Sequence, residues 1–80
     1  MKITVLLFGI LKDILGKNSL ELELDKNSST DSLKEHLLKT YERLNDFSNF
    51  SIAVNEEYVA TNHTLKSNDV VALIPPVSGG

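Results

Sequence analysis

The stretch Asp69-Val70-Val71-Ala72-Leu73-Ile74-Pro75-Pro76 decides the fold of this chain. It is apolar from Val70 to Ile74, which is typical of a strand buried on both faces of a sheet. Because proline has no backbone N–H to donate, Pro75 and Pro76 end this last strand. The segment Lys2–Phe8 is rich in β-branched and apolar residues in the same way and predicts the first strand. We expect these two strands to lie side by side at the centre of the sheet.

The residues that follow the first strand predict a short helix and a second strand. Apolar residues from Ile10 to Leu15 recur at helical spacing, and Gly16 suits the end of a helix or turn. Leu20, Leu22 and Leu24 then alternate with acidic residues, which predicts a strand with one face in the core and one in water. This second strand should pair with the first as a hairpin-like unit.

One amphipathic helix is predicted in the middle of the chain. Candidate N-cap residues occur between Ser28 and Asp31, and an apolar stripe runs from Leu33 to Leu44. We interpret the residues around Phe47 and Phe50 as a loop. The remaining predictions are a strand at 51–54, a turn at 55–57, a very short strand at 58–59 and a polar loop at 60–68.

These elements predict an α+β fold in which a mixed sheet of four or five strands carries one main helix across one face. A chain of 80 residues is long enough for one such domain. We assign residues 1–75 to the domain and residues 76–80 to a flexible C-terminal tail.

Composition narrows the function. The chain has no cysteine, so disulfides, thiolate metal sites and a cysteine nucleophile are excluded. The formal net charge of −3 argues against nucleic-acid binding. His36 and His63 lack a second ligand at a suitable spacing, so we expect no metal or cofactor on this chain. The N-terminal apolar run is too short to cross a bilayer, and we expect a cytosolic protein without membrane contact.

The end of the chain carries the strongest functional signal. Gly79 and Gly80 are half of the four glycines, and they close an extended segment that begins at Pro75-Pro76. Without Cβ atoms, this backbone can enter a channel that excludes side chains. The carboxylate of Gly80 can attack the α-phosphate of a nucleotide and become an activated acyl group. The five tail residues span at most roughly 17 Å, enough to enter a deep pocket on another protein.

A second predicted feature is an apolar patch on the sheet face opposite the helix. Strand alternation places Leu6 and Phe8 of the first strand beside Ala72 and Ile74 of the last strand. Such a patch suits docking of a partner protein. The alternative is that loops cover this face and Phe8 belongs to the core.

The segment 69–80, with its acidic residue, apolar strand and Pro-Pro-Val-Ser-Gly-Gly ending, resembles the small subunits of molybdopterin synthase. The segment Ala53-Val54-Asn55 also resembles the family's turn after the third strand, and Val5–Phe8 resembles its first strand. Ile74 stands where the family has an aromatic residue. The resemblance spans nearly the whole chain and implies a ubiquitin-like sulfur carrier with the β-grasp fold.

The resemblance also implies a mechanism and partners. An E1-like adenylating enzyme would activate the Gly80 carboxylate with Mg-ATP, and a sulfur donor protein would convert it to a thiocarboxylate. The large synthase subunit would then receive the sulfur for the dithiolene of molybdopterin, within a heterotetramer in which this chain is a non-catalytic carrier. Gly79 and Gly80 would be the reacting end. The partner-binding residues would be Leu6, Phe8, Ala72, Ile74, Pro75, Pro76, Val77 and Ser78.

Three alternatives remain open from the sequence. The same activated carboxyl group would serve a ubiquitin-like modifier that is conjugated to lysines through Gly80. It would also serve a sulfur carrier of another pathway, such as thiamin synthesis. The third alternative is an interaction domain in which the Gly-Gly ending is incidental.

Overall fold

The computed structural model of the chain describes residues 1–59 and 62–76, and within them five strands form a single sheet. The sheet order is β2-β1-β5-β3-β4, with β1 and β5 parallel and the other neighbouring strands antiparallel. The strands are β1 (Lys2–Leu7), β2 (Ser19–Glu23), β3 (Ser51–Val54), β4 (Glu57–Tyr58) and β5 (Val70–Ile74).

Two α-helices and a 3-10 helix connect the strands: α1 (Gly9–Leu15), α2 (Thr30–Thr40) and the 3-10 helix Glu42–Phe47. Gly16 ends α1 in the left-handed conformation, with φ 66°, and its N–H donates to the Lys12 carbonyl. Ser29 caps α2 because its side-chain oxygen accepts a hydrogen bond from the Ser32 N–H at 3.2 Å. The end of α1 and the start of α2 therefore lie where the glycine and the N-cap residues of the sequence predicted them.

The core lies between one face of the sheet and the helices. Alternate residues of β1 and β5 point into it, so that Ile3, Val5, Val71 and Leu73 are fully buried. Helix α2 contributes two fully buried leucines from its apolar stripe, Leu33 and Leu37. Further apolar side chains complete the core from other segments: Leu11, Leu20, Leu44, Phe50, Val54 and Leu65. The opposite face of the sheet, which we call the open face, carries the other residues of each strand.

The predicted architecture is confirmed: the first and last strands are neighbours at the centre of a mixed sheet. The single middle helix was predicted too long, because α2 ends at Thr40 and the chain continues as a 3-10 helix. Tyr41 interrupts it, with φ −119° and ψ 85°. Leu44 is nevertheless buried, so the apolar stripe correctly identified a core residue but not the backbone that carries it.

The predicted loop around Phe47 and Phe50 was also wrong in part. Phe47 ends the 3-10 helix, and Phe50 is only 5% exposed and belongs to the core. The predicted polar loop at 60–68 contains a short bridge between Thr64 and Ser29, and Leu65 is buried; residues 60 and 61 lie outside the described part. Among the helices of the described ranges, none has the length and apolar character needed to span a membrane.

Candidate functional site

The candidate site begins where the chain leaves the sheet, at the end of β5. β5 pairs with β1 on one side, through Val71 opposite Val5 and Leu73 opposite Leu7, and with β3 on the other. The pairing with β3 continues to Ile74, which lies opposite Ser51. The β5 backbone is thus paired on both sides up to Leu73 and on one side, with β3, at Ile74.

Gly9 defines the position of Pro75. Its φ of +54° lies in the left-handed region, and a Cβ built on it would lie 3.0 Å from Cγ of Pro75. Real Cβ atoms rarely come that close, so a side chain at position 9 would push against the Pro75 ring and would also be strained by the positive φ. The sequence indicated Gly9 as the end of the first strand but gave no sign of this contact. The start of α1 and the end of β5 are therefore in direct contact.

A shallow apolar depression lies beside the two prolines. Pro75 and Pro76 line it together with Ile10 from α1, Phe47 from the 3-10 helix, and Asn49. Ile10 and Phe47 are 42% and 37% exposed, so both add accessible apolar surface beside the prolines. This depression was not predicted, because no local sequence pattern places Ile10 and Phe47 next to the prolines.

The open face carries a second depression, which we call the docking patch: Leu6, Phe8, Val70, Ala72, Asn55 and Glu56. The structure brings together three of the four residues predicted for the apolar patch, since Leu6 lies opposite Ala72 and Phe8 lines the same depression. Phe8 is 46% exposed, so the alternative that it belongs to the core is wrong. Ile74 lies on the same face of β5 by strand alternation but does not line this depression.

The other predicted partner-binding residues divide between the described and the undescribed part of the chain. Pro75 and Pro76 line the depression beside Ile10, as given above. Val77, Ser78 and the proposed reacting residues Gly79 and Gly80 lie outside the described residues. Their assignment stays a prediction from the sequence.

Asn55 attaches the rim of the docking patch to the start of β5. Its side-chain amide donates to Oδ1 of Asp69 and its side-chain carbonyl accepts from the Val70 N–H, both at 3.0 Å. The Asn55 N–H also donates to the Val70 carbonyl at 2.8 Å. Asp69 is 8% exposed, and its second oxygen accepts from the Lys66 N–H at 2.8 Å. These hydrogen bonds fix the turn between β3 and β4 against β5.

The acidic residue before the last strand was noticed in the sequence as part of a motif, and here it has a structural role. Asn55, Glu56 and Val70 were missed as patch residues. A signal was present for Asn55, which follows Ala53-Val54 in the turn that resembles the family pattern. None of the described residues forms a group of three or more His, Asp or Glu side chains arranged to hold a metal ion.

Comparison with known proteins agrees with this geometry. The model of the ThiS family matches residues 5–80. The molybdopterin synthase sulfur carrier subunit of Dictyostelium discoideum is 39% identical over 80 residues, covering 95% of this chain and 93% of that protein.

Two solved structures extend the comparison. A putative molybdopterin converting factor, subunit 1, from Pyrococcus furiosus superposes with a TM-score of 0.88 at 29% identity, covering 96% of this chain and 99% of that one. A chain of the complex between subunits 1 and 2 of molybdopterin-converting factor from Helicobacter pylori gives a TM-score of 0.73 at 28% identity, with both chains fully covered. The fold is therefore the ubiquitin-like β-grasp, as expected. On sequence and structure together, the chain belongs to the ThiS family and to its molybdopterin synthase sulfur carrier subunits.

Proposed function

We propose that this chain carries sulfur as the small subunit of molybdopterin synthase, with the Gly80 carboxyl group as the point of attachment. The observation that supports this most strongly is the placement of the chain end: β5 is held between two strands, and Pro75 is held against Gly9. The body of the domain holds the tail and leaves the chemistry to partner enzymes.

Activation proceeds in two displacements. A carboxylate oxygen of Gly80 attacks the α-phosphorus of Mg-ATP on an E1-like enzyme, and pyrophosphate leaves. A sulfide equivalent from a donor protein then attacks the carbonyl carbon, AMP leaves, and a thiocarboxylate remains. Adenylation is needed because a free carboxylate is a poor acyl donor.

Delivery takes place in the large synthase subunit. The thiocarboxylate sulfur attacks an electrophilic carbon of the pterin precursor, and the oxygen substituent on that carbon leaves as its C–O bond breaks. Water then cleaves the bond between sulfur and the Gly80 carbonyl carbon, which leaves the sulfur on the pterin and regenerates the carboxylate. The residues Val77–Gly80 reach at most about 14 Å beyond Pro76 when extended. Because Gly79 and Gly80 have no side chains, they fit a channel that would exclude other residues.

The large subunit would bind to two surfaces of the domain, the docking patch and the depression beside the prolines. Leu6, Phe8 and Ala72 form an apolar surface, and Ile10 and Phe47 add apolar area near the start of the tail. A partner that covers both surfaces would exclude water around the segment that leads to the active site. Residues that anchor the partner thus surround the base of the tail.

The experiment is intact-mass analysis of the purified chain after incubation with the activating enzyme, Mg-ATP and a sulfide source. We expect a mass gain that corresponds to exchange of one oxygen for sulfur, followed by its loss when the large subunit and pterin precursor are added. A variant that lacks Gly80 should keep the far-UV circular dichroism of the wild type and gain no sulfur.

Two results would contradict the proposal. Isopeptide adducts on lysines, formed without the sulfur exchange, would assign the chain to protein modification. Sulfur loading at the same rate in the variant without Gly80, whose chain ends in the carboxyl group of Gly79, would show that loading does not require Gly80.

A further inference from the structure

Glu56 occupies a backbone conformation that its side chain does not favour. It follows Asn55 in the two-residue turn between β3 and β4, and both residues have positive φ, 50° for Asn55 and 72° for Glu56. This is the geometry of a tight hairpin turn in which Asn-Gly is the preferred pair. Asn tolerates the left-handed region, whereas Glu does not favour it. The backbone conformation of the turn therefore does not explain why position 56 carries a glutamate.

The carboxylate of Glu56 makes no ion pair or hydrogen bond with the residues that the structure describes. The ion pairs found among residues 1–59 and 62–76 are those of Lys2 with Glu21 and of the N-terminal amine with Glu23. No hydrogen bond to the Glu56 side chain occurs within the same ranges, although Asn55 beside it makes several. Backbone strain without an internal stabilising contact points to a function outside the domain.

The position of Glu56 indicates what that function is. Glu56 lines the docking patch together with Leu6, Phe8, Val70 and Ala72, all of which are apolar. Glu21 and Glu23 belong to β2, at the far side of β1, and each is already paired. Glu56 is therefore the charged residue among the described residues that line the patch, and the complementary surface has an apolar centre with a basic side chain at its rim.

We propose that Glu56 determines partner specificity by pairing with a lysine or arginine of the large subunit when the docking patch is covered. This inference rests on the function proposed above, since it names the chemistry of the surface that meets the patch. The pair would act mainly on the rate of association and on its salt dependence, as charges at the rim of an interface do.

The test is a binding titration of the full chain against the large subunit at low and high ionic strength. Glu56→Gln should weaken binding about fivefold at low salt, and the difference from wild type should vanish at high salt. Glu56→Lys should weaken binding about tenfold or more, because it places like charges opposite each other. The matched control is Glu57→Gln, which removes the same charge one residue away. Glu57 lies opposite Val54, a core residue, and so belongs to the other face of the sheet.

Affinity within twofold of wild type for Glu56→Gln at low salt would overturn the inference, and so would an equal loss for Glu57→Gln, which would reflect net charge alone. Sulfur loading of the wild type separates the two proposals. A wild type that loads sulfur and binds the large subunit, but does not depend on Glu56, refutes this inference and leaves the carrier function intact. A wild type that neither loads nor binds refutes both.

Discussion

Gly9 and Pro75 form a close contact that the missing side chain of Gly9 permits. A Cβ built on Gly9 would lie 3.0 Å from Cγ of Pro75, which is tighter than most contacts of real Cβ atoms. The contact joins the first turn of α1 to the end of β5. The direction in which the chain leaves the domain is thus set by a residue far from it in sequence.

Replacement of Gly9 by valine should test this contact. Because Gly9 has φ +54°, a β-branched residue there should lower the free energy of unfolding by about 1–2 kcal/mol and should displace Pro75. We expect slower sulfur loading in the folded protein. The control is Gly16→Val, since Gly16 has a similar φ of +66° but a Cβ at that position would meet no atom within 4 Å. Urea unfolding should show a loss of stability in both variants that is larger for Gly9→Val, because only there does the new side chain meet Pro75. Sulfur loading should be slower for Gly9→Val alone. Equal loading rates would contradict the positioning role.

Removal of the Asn55 side chain should loosen the turn beside the docking patch. Asn55→Ala removes the hydrogen bonds to Asp69 and Val70 and leaves Oδ1 of the buried Asp69 without this donor. We expect a loss of about 1–3 kcal/mol in the free energy of unfolding. Asn27→Ala is the control, because Asn27 also has positive φ, 69°, but its side chain makes no hydrogen bond to the described residues. If urea unfolding shows a similar loss of stability for both variants, Asn55 stabilises the domain through its tolerance of positive φ and not through its side-chain hydrogen bonds.

Truncation of Phe8 should separate binding from folding. Phe8 is 46% exposed, so Phe8→Ala should reduce the free energy of unfolding by only about 1 kcal/mol. Its loss from the docking patch should reduce the binding free energy for the large subunit by about 2 kcal/mol. Phe50→Ala is the contrasting variant: Phe50 is 5% exposed, and its truncation should cost about 3–5 kcal/mol of stability. Thermal unfolding measures the stability, and calorimetric titration measures the affinity for the large subunit. Unchanged affinity of the folded Phe8→Ala variant would show that the docking patch is not part of the interface.

Glycine at position 56 should make the domain more stable and should weaken its binding to the large subunit. Glu56→Gly creates the preferred Asn-Gly turn and relieves the strain at φ 72°, so the free energy of unfolding should rise by about 0.5–1 kcal/mol. Binding to the large subunit should weaken at low salt because the carboxylate is gone. Denaturant unfolding and binding should therefore change in opposite directions. A variant that is more stable and binds as well as wild type would show that the glutamate has no role at the interface.

Much of the fold was predictable because hydrophobic period and chain order are local properties. The continuous apolar character of Val70–Ile74 and the alternation around Leu22 identified a central strand and an edge strand correctly. The division of the middle helix at Tyr41 was not predictable, because Leu37 and Leu44 are buried whether the backbone between them is α-helical or 3-10. The side-chain pattern alone does not distinguish the two backbones over so short a segment.

The candidate site was predictable only where two strands had already been placed side by side. Leu6, Phe8 and Ala72 followed from the parallel pairing of the first and last strands. Asn55 and Glu56 were missed because their position depends on the hydrogen bonds from Asn55 to the start of β5, which join residues 14 positions apart. The contact of Gly9 with Pro75 was missed for the same reason, since it depends on how α1 leaves β1.

If the chain end is inserted into partner enzymes and withdrawn again, as proposed above, the central position of β5 has a mechanical consequence. β5 is bonded along its length to a parallel strand on one side and an antiparallel strand on the other. Tension applied at the C-terminus would load many of these hydrogen bonds in shear at the same time, so the domain should resist extraction of its last strand. Repeated threading would therefore leave the body folded, and the same carrier could return for another round.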